Sequence, residues 1–138
     1  GWPDQLSDIL SELGIEESVS CPGYVPQEML INLYDHAELF IFPSLHETFG
    51  LPNIESMARG TPVLTTRQFA IPDIVGDAAA FIDSPTSASS IATALVSVAH
   101  DEQRLSDLSA KGINRSYRYT WNNHIEILEE EYDRLVSG

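Results

Sequence analysis

An α/β fold with a parallel sheet is the class this sequence predicts, and three observations carry it. Short runs rich in β-branched and aromatic residues alternate with longer stretches of helical apolar spacing along the chain. The run Leu39-Phe40-Ile41-Phe42 is apolar throughout, as suits a strand covered on both faces. Glycines, prolines and serines punctuate the passages between elements, where helices start and stop.

Leu6, Ile9, Leu10 and Leu13 follow helical spacing, and Gly14 supplies a stop. Val19 to Cys21 reads as a short first strand. A helix is predicted from Pro26 to about His36, with Met29, Leu30, Leu33 and Ala37 on one face. Leu39 to Phe42 is the second strand. In the helix that follows, Pro52 suits the first position and Gly60 ends it as a left-handed residue. Pro62 to Thr66 forms a third strand and Ala79 to Ile82 a fourth. Thr86, Ser87, Ser89 and Ser90 are candidate N-caps for a helix carrying Ile91, Leu95 and Val98. Two more helices run through Leu105 and Leu108, and from Trp121 to Val136. No internal repeat or low-complexity linker intervenes, so residues 1–138 read as one domain.

At 138 residues the chain is long enough for a single core. Lys plus Arg number 7 against 21 Asp plus Glu, a formal charge of −14. So acidic a surface argues against nucleic acid and anionic lipid as partners, and otherwise speaks to solubility. Cys21 stands alone, which excludes an internal disulfide and a cysteine-rich metal site. His36, His46, His100 and His124 lack metal-ligand spacing, so neither a metal nor another cofactor is expected. No apolar run approaches the length of a membrane span and no signal peptide is visible, so the expected location is cytoplasmic. Any membrane contact is left to other parts of a longer protein. The start at Gly1 rather than Met reads as a cut or trimmed chain.

The most informative stretch is Phe42-Pro43-Ser44-Leu45-His46-Glu47-Thr48-Phe49-Gly50-Leu51-Pro52-Asn53-Ile54-Glu55. It places two carboxylates, Glu47 and Glu55, eight positions apart around a Gly-containing turn that opens a helix. Glu47 is expected in the loop and Glu55 in the first helical turn. Backbone N–H groups at Phe49, Gly50 and Leu51 are expected to be free to meet an anion. Acceptor-only carboxylates beside a phosphate cradle suit a ligand bearing both phosphates and hydroxyls, as a nucleotide sugar does. Glu near a helix N-terminus is also stabilising for its own sake. A carboxylate pair can equally suggest a glycosidase, but nothing in that chemistry requires a phosphate-binding turn between the two.

The segment PSLHETFGLPNIESMARGTPVL resembles the signature of retaining GT-B glycosyltransferases of the large group-1 family. Ser20-Cys21-Pro22-Gly23-Tyr24-Val25-Pro26, Ala70-Ile71-Pro72-Asp73-Ile74-Val75-Gly76 and Tyr119-Thr120-Trp121 resemble further blocks of the same family, so the likeness covers nearly the whole chain. Thr48 stands where that family most often has Gly, which bears on which sugar is bound. The resemblance implies a Rossmann-like parallel sheet, the GT-B C-terminal domain, with its first strands missing. In the strand order 3-2-1-4-5-6 of such sheets, the strands here are numbers 3 to 6. A gap would then separate strand 3 from strand 4, leaving open edges that favour self-association or a place in a larger enzyme.

The resemblance further implies roles. Glu55 accepts hydrogen bonds from the donor ribose, and Glu47 contacts the donor sugar near the reacting carbon as the catalytic residue. The backbone of Thr48, Phe49, Gly50 and Leu51 holds sugar and diphosphate, while Gly23, Tyr24 and Val25 meet the nucleotide base. The partners implied are a nucleoside-diphosphate sugar and an N-terminal acceptor-binding domain outside this chain. A cationic pair that neutralises the diphosphate is also expected outside it, so the isolated chain is expected to have little transferase activity. The apolar face of the last helix, through Trp121, Ile125, Leu128, Tyr132 and Leu135, is expected to be an interface. Two alternatives stay open: a non-catalytic nucleotide-sugar-binding or interaction module, and a GT-B epimerase or phosphorylase.

Overall fold

The computed structural model describes the backbone of residues 4–136 and, in the first and last helices, only part of the side chains. The chain folds as two compact units, one ending at Leu30 and one beginning at Ile31.

The first unit holds α1 (Asp4–Leu13), a 3-10 turn at Glu16–Ser18 and the start of α2 (Gln27–His36). Gly14 follows α1 at φ +65°, the left-handed stop its position predicts. Val19 is extended, but residues 19 to 21 form no strand, contrary to expectation. A strand exists through the neighbour that takes its N–H and C=O groups, and no described residue supplies one here.

The second unit contains β1 (Phe40–Phe42), α3 (Leu51–Ala58), β2 (Val63–Thr66), α4 (Ile71–Val75) and β3 (Ala79–Ile82). Then come α5 (Ala88–Ala99), α6 (Glu102–Ser116), a 3-10 turn and α7 (Trp121–Val136). The sheet is parallel in the order β1-β2-β3, with Phe40 opposite Val63 and Val63 opposite Ala79. These are the last three strands of the expected series in their expected order. Among the described residues β1 pairs on one side only, so its outer edge is open.

Alternation along the strands divides the core. Val63 and Ala79 face Ile54 and Met57 of α3 and Ile71, Ile74 and Val75 of α4. Leu64, Ala80 and Ile82 face Val98 of α5 and Leu108 of α6. The short α4, to which the sequence reading assigned no secondary structure, closes the first layer. Ser87 proves to be the N-cap of α5, accepting from the Ser90 N–H at 3.3 Å.

The expected apolar face of α2 is not the buried one. Met29, Leu33 and Ala37 are exposed, and Tyr34 is the buried residue of the helix. Its ring meets Phe40 edge-on at 5.3 Å, and its carbonyl accepts the Thr61 hydroxyl. On α7, Ile125, Tyr132 and Leu135 are exposed, whereas the side chains of Trp121, His124 and Leu128 lie outside the described residues.

Candidate functional site

The loop from Pro43 to Gly50 leaves the C-terminal end of β1 and is pegged to β2. Thr65 and Thr66 donate their buried hydroxyls to the carbonyls of Phe42 and Ser44 at 3.0 and 2.8 Å. Ser44 Oγ in turn donates to the His46 carbonyl at 3.2 Å. At the far end, Phe49 meets Tyr119 edge-on at 5.7 Å, and the Tyr119 hydroxyl donates to the Ile74 carbonyl at 3.0 Å. The loop is therefore held at both ends before the helix begins.

Gly50 makes the turn into α3 at φ +82°, a left-handed conformation that strains other residues. No side chain caps α3. Pro52 has no N–H, and the Asn53 N–H donates to the Gly50 carbonyl at 2.9 Å. The N–H groups of Gly50, a buried residue, and Leu51, an exposed one, lie at this end of the helix. The Phe49 N–H differs: it donates to Glu47 Oε1 at 3.3 Å. A flexible carboxylate two residues back can reach the positive end of a helix, and here it supplies the anion itself.

Glu55 is also displaced from expectation. With α3 starting at Leu51 it lies in the second turn, exposed, where it accepts the Tyr34 hydroxyl at 3.3 Å. Burial, the Glu55 charge and this hydrogen bond push the Tyr34 phenol up to about 12. Glu55 is thus held from outside its own helix. Tyr34, missed in the sequence, does the holding, and a partner 21 positions away leaves no local signal. Asn53 was missed as well. It is fully buried beneath Gly50, and neither its Nδ2 nor its Oδ1 has a hydrogen-bond partner.

A pocket of about 510 Å³ is lined by His46 and Glu47, with Thr48, Phe69 and Ala70. It lies between the loops that follow β1 and β2, at the strand ends where open α/β sheets bind ligands. Thr48 and Leu51 are exposed. Gly23, Tyr24 and Val25 belong to the first unit, just before α2, with Gly23 at φ +68° and Tyr24 almost fully exposed. The basic residues near the motif are engaged. Arg59 grips Asp35 with two hydrogen bonds of 2.5 and 2.7 Å, which hold the Asp35 carboxyl below its usual range. Arg67 lies with its guanidinium 3.8 Å above the Phe81 ring.

A parallel sheet with an uncapped helix entrance at its strand ends is a layout suited to phosphate-bearing ligands. The chain belongs to the group 1 glycosyl transferases, whose family match runs over residues 1–115. It is 34% identical over 124 residues to the O-antigen chain mannosyltransferase B of Escherichia coli, covering 89% of this chain and 32% of that protein. It is 33% identical over 135 residues to a D-inositol 3-phosphate glycosyltransferase of Nocardia farcinica, covering 97% of this chain and 30% of that one. Among solved structures, sucrose-phosphate synthase from Thermosynechococcus elongatus superposes with a TM-score of 0.80 at 23% identity, over 97% of this chain and 34% of the other. That likeness establishes the fold as that of a GT-B glycosyltransferase. The chain spans about a third of the length of these relatives.

Proposed function

We propose that the chain is the donor-binding part of a retaining glycosyltransferase, taking a nucleoside-diphosphate sugar and passing the sugar to an acceptor with its anomeric configuration kept. The observation that carries this reading is the uncapped α3 entrance at Gly50 and Leu51, set between Glu47 and the Tyr34-held Glu55. Glu55 takes the ribose hydroxyls, and Tyr34 holds its carboxylate in place for them. The N–H groups of Gly50 and Leu51 receive the diphosphate and the negative charge that grows on it as the glycosidic bond breaks. Glu47 lies beside the pocket and stabilises the positive charge developing at the anomeric carbon, which is orientation and electrostatics rather than acid–base work.

Titrating isotope-labelled chain with UDP, GDP and ADP tests this. Saturable amide shifts from Phe49 to Glu55, lost in Glu55→Ala, are expected with at least one of the three. If none moves these amides, in the chain or in the full-length protein, the reading is wrong.

One observation favours a narrower role for the chain by itself. With Arg59 engaged by Asp35 and Arg67 laid on Phe81, neither is aimed at the α3 entrance. A diphosphate leaving group calls for cationic neutralisation, which main-chain N–H groups replace poorly. The isolated chain is then a nucleotide-sugar-binding module with little turnover. Robust transfer by the 138-residue chain alone would contradict this.

A further inference from the structure

Phe69 has a φ of +50° and is the one non-glycine residue with a positive φ among the described residues. For a bulky side chain this is a strained conformation, of a kind that persists where the surroundings or the function impose it. Core packing does not impose it, because Phe69 is 65% exposed. The bend that carries it is short and tied down, with the Ile71 N–H donating to the Gln68 carbonyl at 3.1 Å. Its ring lies 5.4 Å from the His46 ring, tilted by 40°. Both rings line the 510 Å³ pocket, together with Glu47, Thr48 and Ala70.

The pocket therefore has two chemically different sides. Phe69 and His46 offer an aromatic wall, while Glu47 and the Thr48 hydroxyl offer groups that bond to hydroxyls. A pyranose has the same division. Its axial C–H groups form an apolar face, and its hydroxyls radiate from the rim. A flat aromatic ring packs against the first, and a carboxylate accepts from the second.

We infer that Phe69, backed by His46, is a specificity-determining residue that packs against the C–H face of the donor's hexose. The inference rests on the proposed function, since it requires the nucleotide sugar to be bound with its sugar in this pocket. The strained backbone is what aims the ring at the pocket rather than along the surface. Sugars whose axial hydroxyls interrupt the C–H face fit the wall less well, so Phe69 also discriminates among hexoses.

The test uses calorimetric binding by the full-length protein, without acceptor, of GDP, GDP-mannose, UDP and UDP-glucose. Wild type is compared with Phe69→Gly and Phe69→Tyr. Glycine accepts a positive φ freely, so Phe69→Gly is expected to fold and to melt at a higher temperature than wild type. For the base that binds, it is expected to weaken the sugar nucleotide roughly tenfold, with the free diphosphate unchanged. Phe69→Tyr keeps the ring and is expected to retain wild-type preference. Equal weakening of both ligands, or no change in either, would overturn the role of Phe69 while leaving diphosphate binding intact. Failure of wild type to bind any of the four would overturn the nucleotide-sugar reading itself, and this inference with it.

Discussion

Replacing Gly50 by alanine tests whether the entrance of α3 is built around a missing side chain. Gly60, just past the other end of the helix, provides the control, because the two φ angles are +82° and +80°. An alanine suffers the same left-handed strain at either place, about 1–2 kcal/mol. What the added methyl meets is different. At Gly60 it lies 3.3 Å from Ile113 Cδ1, the far end of a partly exposed side chain that can swing aside. At Gly50 it lies 2.9 Å from Asn53 Nδ2, with Glu47 Cγ at 3.5 Å and Ile71 Cγ1 at 3.7 Å. Asn53 has no exposed surface, so its amide cannot move away without displacing packed neighbours. Overpacking of this kind costs about 1–3 kcal/mol. Urea unfolding is therefore expected to show a loss of about 1–2 kcal/mol for Gly60→Ala and about 2–5 kcal/mol for Gly50→Ala, with unchanged m-values. Diphosphate binding should weaken in Gly50→Ala alone, because the shifted turn moves the N–H groups of Gly50 and Leu51. Losses equal to within about 0.5 kcal/mol would refute the argument, since strain alone would then explain both sites.

Tyr34→Phe is expected to change how stability depends on alkaline pH. Because the folded-state phenol titrates at about 12, above its ordinary value, the fold favours the neutral form. The associated stability is fully present below about pH 10 and is lost as pH rises towards about 12. The shift corresponds to at most about 2.7 kcal/mol, and solvent screening by the exposed Glu55 side reduces this to about 1–2 kcal/mol. Unfolding curves between about pH 9 and about pH 11.5 should fall more steeply for wild type than for the variant; parallel curves would count against the Tyr34–Glu55 contact. Glu47→Ala releases the Phe49 N–H, so free GDP or UDP should bind at least as tightly as in wild type. Transfer by the full-length protein should fall by about 10²- to 10³-fold, because charge stabilisation at the sugar is lost. Calorimetry and a product assay read the two effects separately, and weaker diphosphate binding would contradict the idea that Glu47 competes with the ligand for the Phe49 N–H.

Features that a residue imposes on its own neighbourhood were legible in the sequence. Gly60 and Ser87 act through backbone and cap geometry within a few residues, and both do what their positions announce. The runs at 40–42, 63–66 and 79–82 are apolar enough to be strands wherever they pair, and the parallel order of neighbours follows from the helices between them. Val19 to Cys21 shows the opposite case, for three residues of suitable type form no strand without a neighbour. The face of α2 was misread because Met29, Leu30 and Leu33 outnumber Tyr34 in any periodicity count. The choice was made by Phe40 and Thr61, which are distant in sequence. At the site, the identities of Glu47 and Glu55 were visible, but their partners were not. A rotamer that turns Glu47 back onto Phe49, and a tyrosine that reaches Glu55 from another helix, are tertiary facts.

Charge decides how far the isolated chain can go with an anionic ligand. A formal charge of −14 surrounds an entrance whose own donors are uncharged N–H groups, one of them already answered by Glu47. Of the seven basic side chains, Arg59 and Lys111 are spent on Asp35 and Asp77, and Arg115 on the carbonyls of Asp73 and Ile74. The long-range field therefore opposes a diphosphate at this entrance. Long-range repulsion and hydrogen bonding respond differently to salt. Screening weakens repulsion between separated charges beyond about 10 Å at 0.1 M ionic strength, whereas it barely affects hydrogen bonds made at contact. Binding of GDP or UDP to the chain should accordingly tighten as NaCl is raised from about 20 to about 200 mM, opposite to a site built on lysines and arginines. In the full-length protein, any cations supplied from outside this chain would flatten or reverse that trend. Salt-weakened binding by the chain alone would show that a cation within it, Arg67 being the best placed at a strand end, takes the phosphate directly.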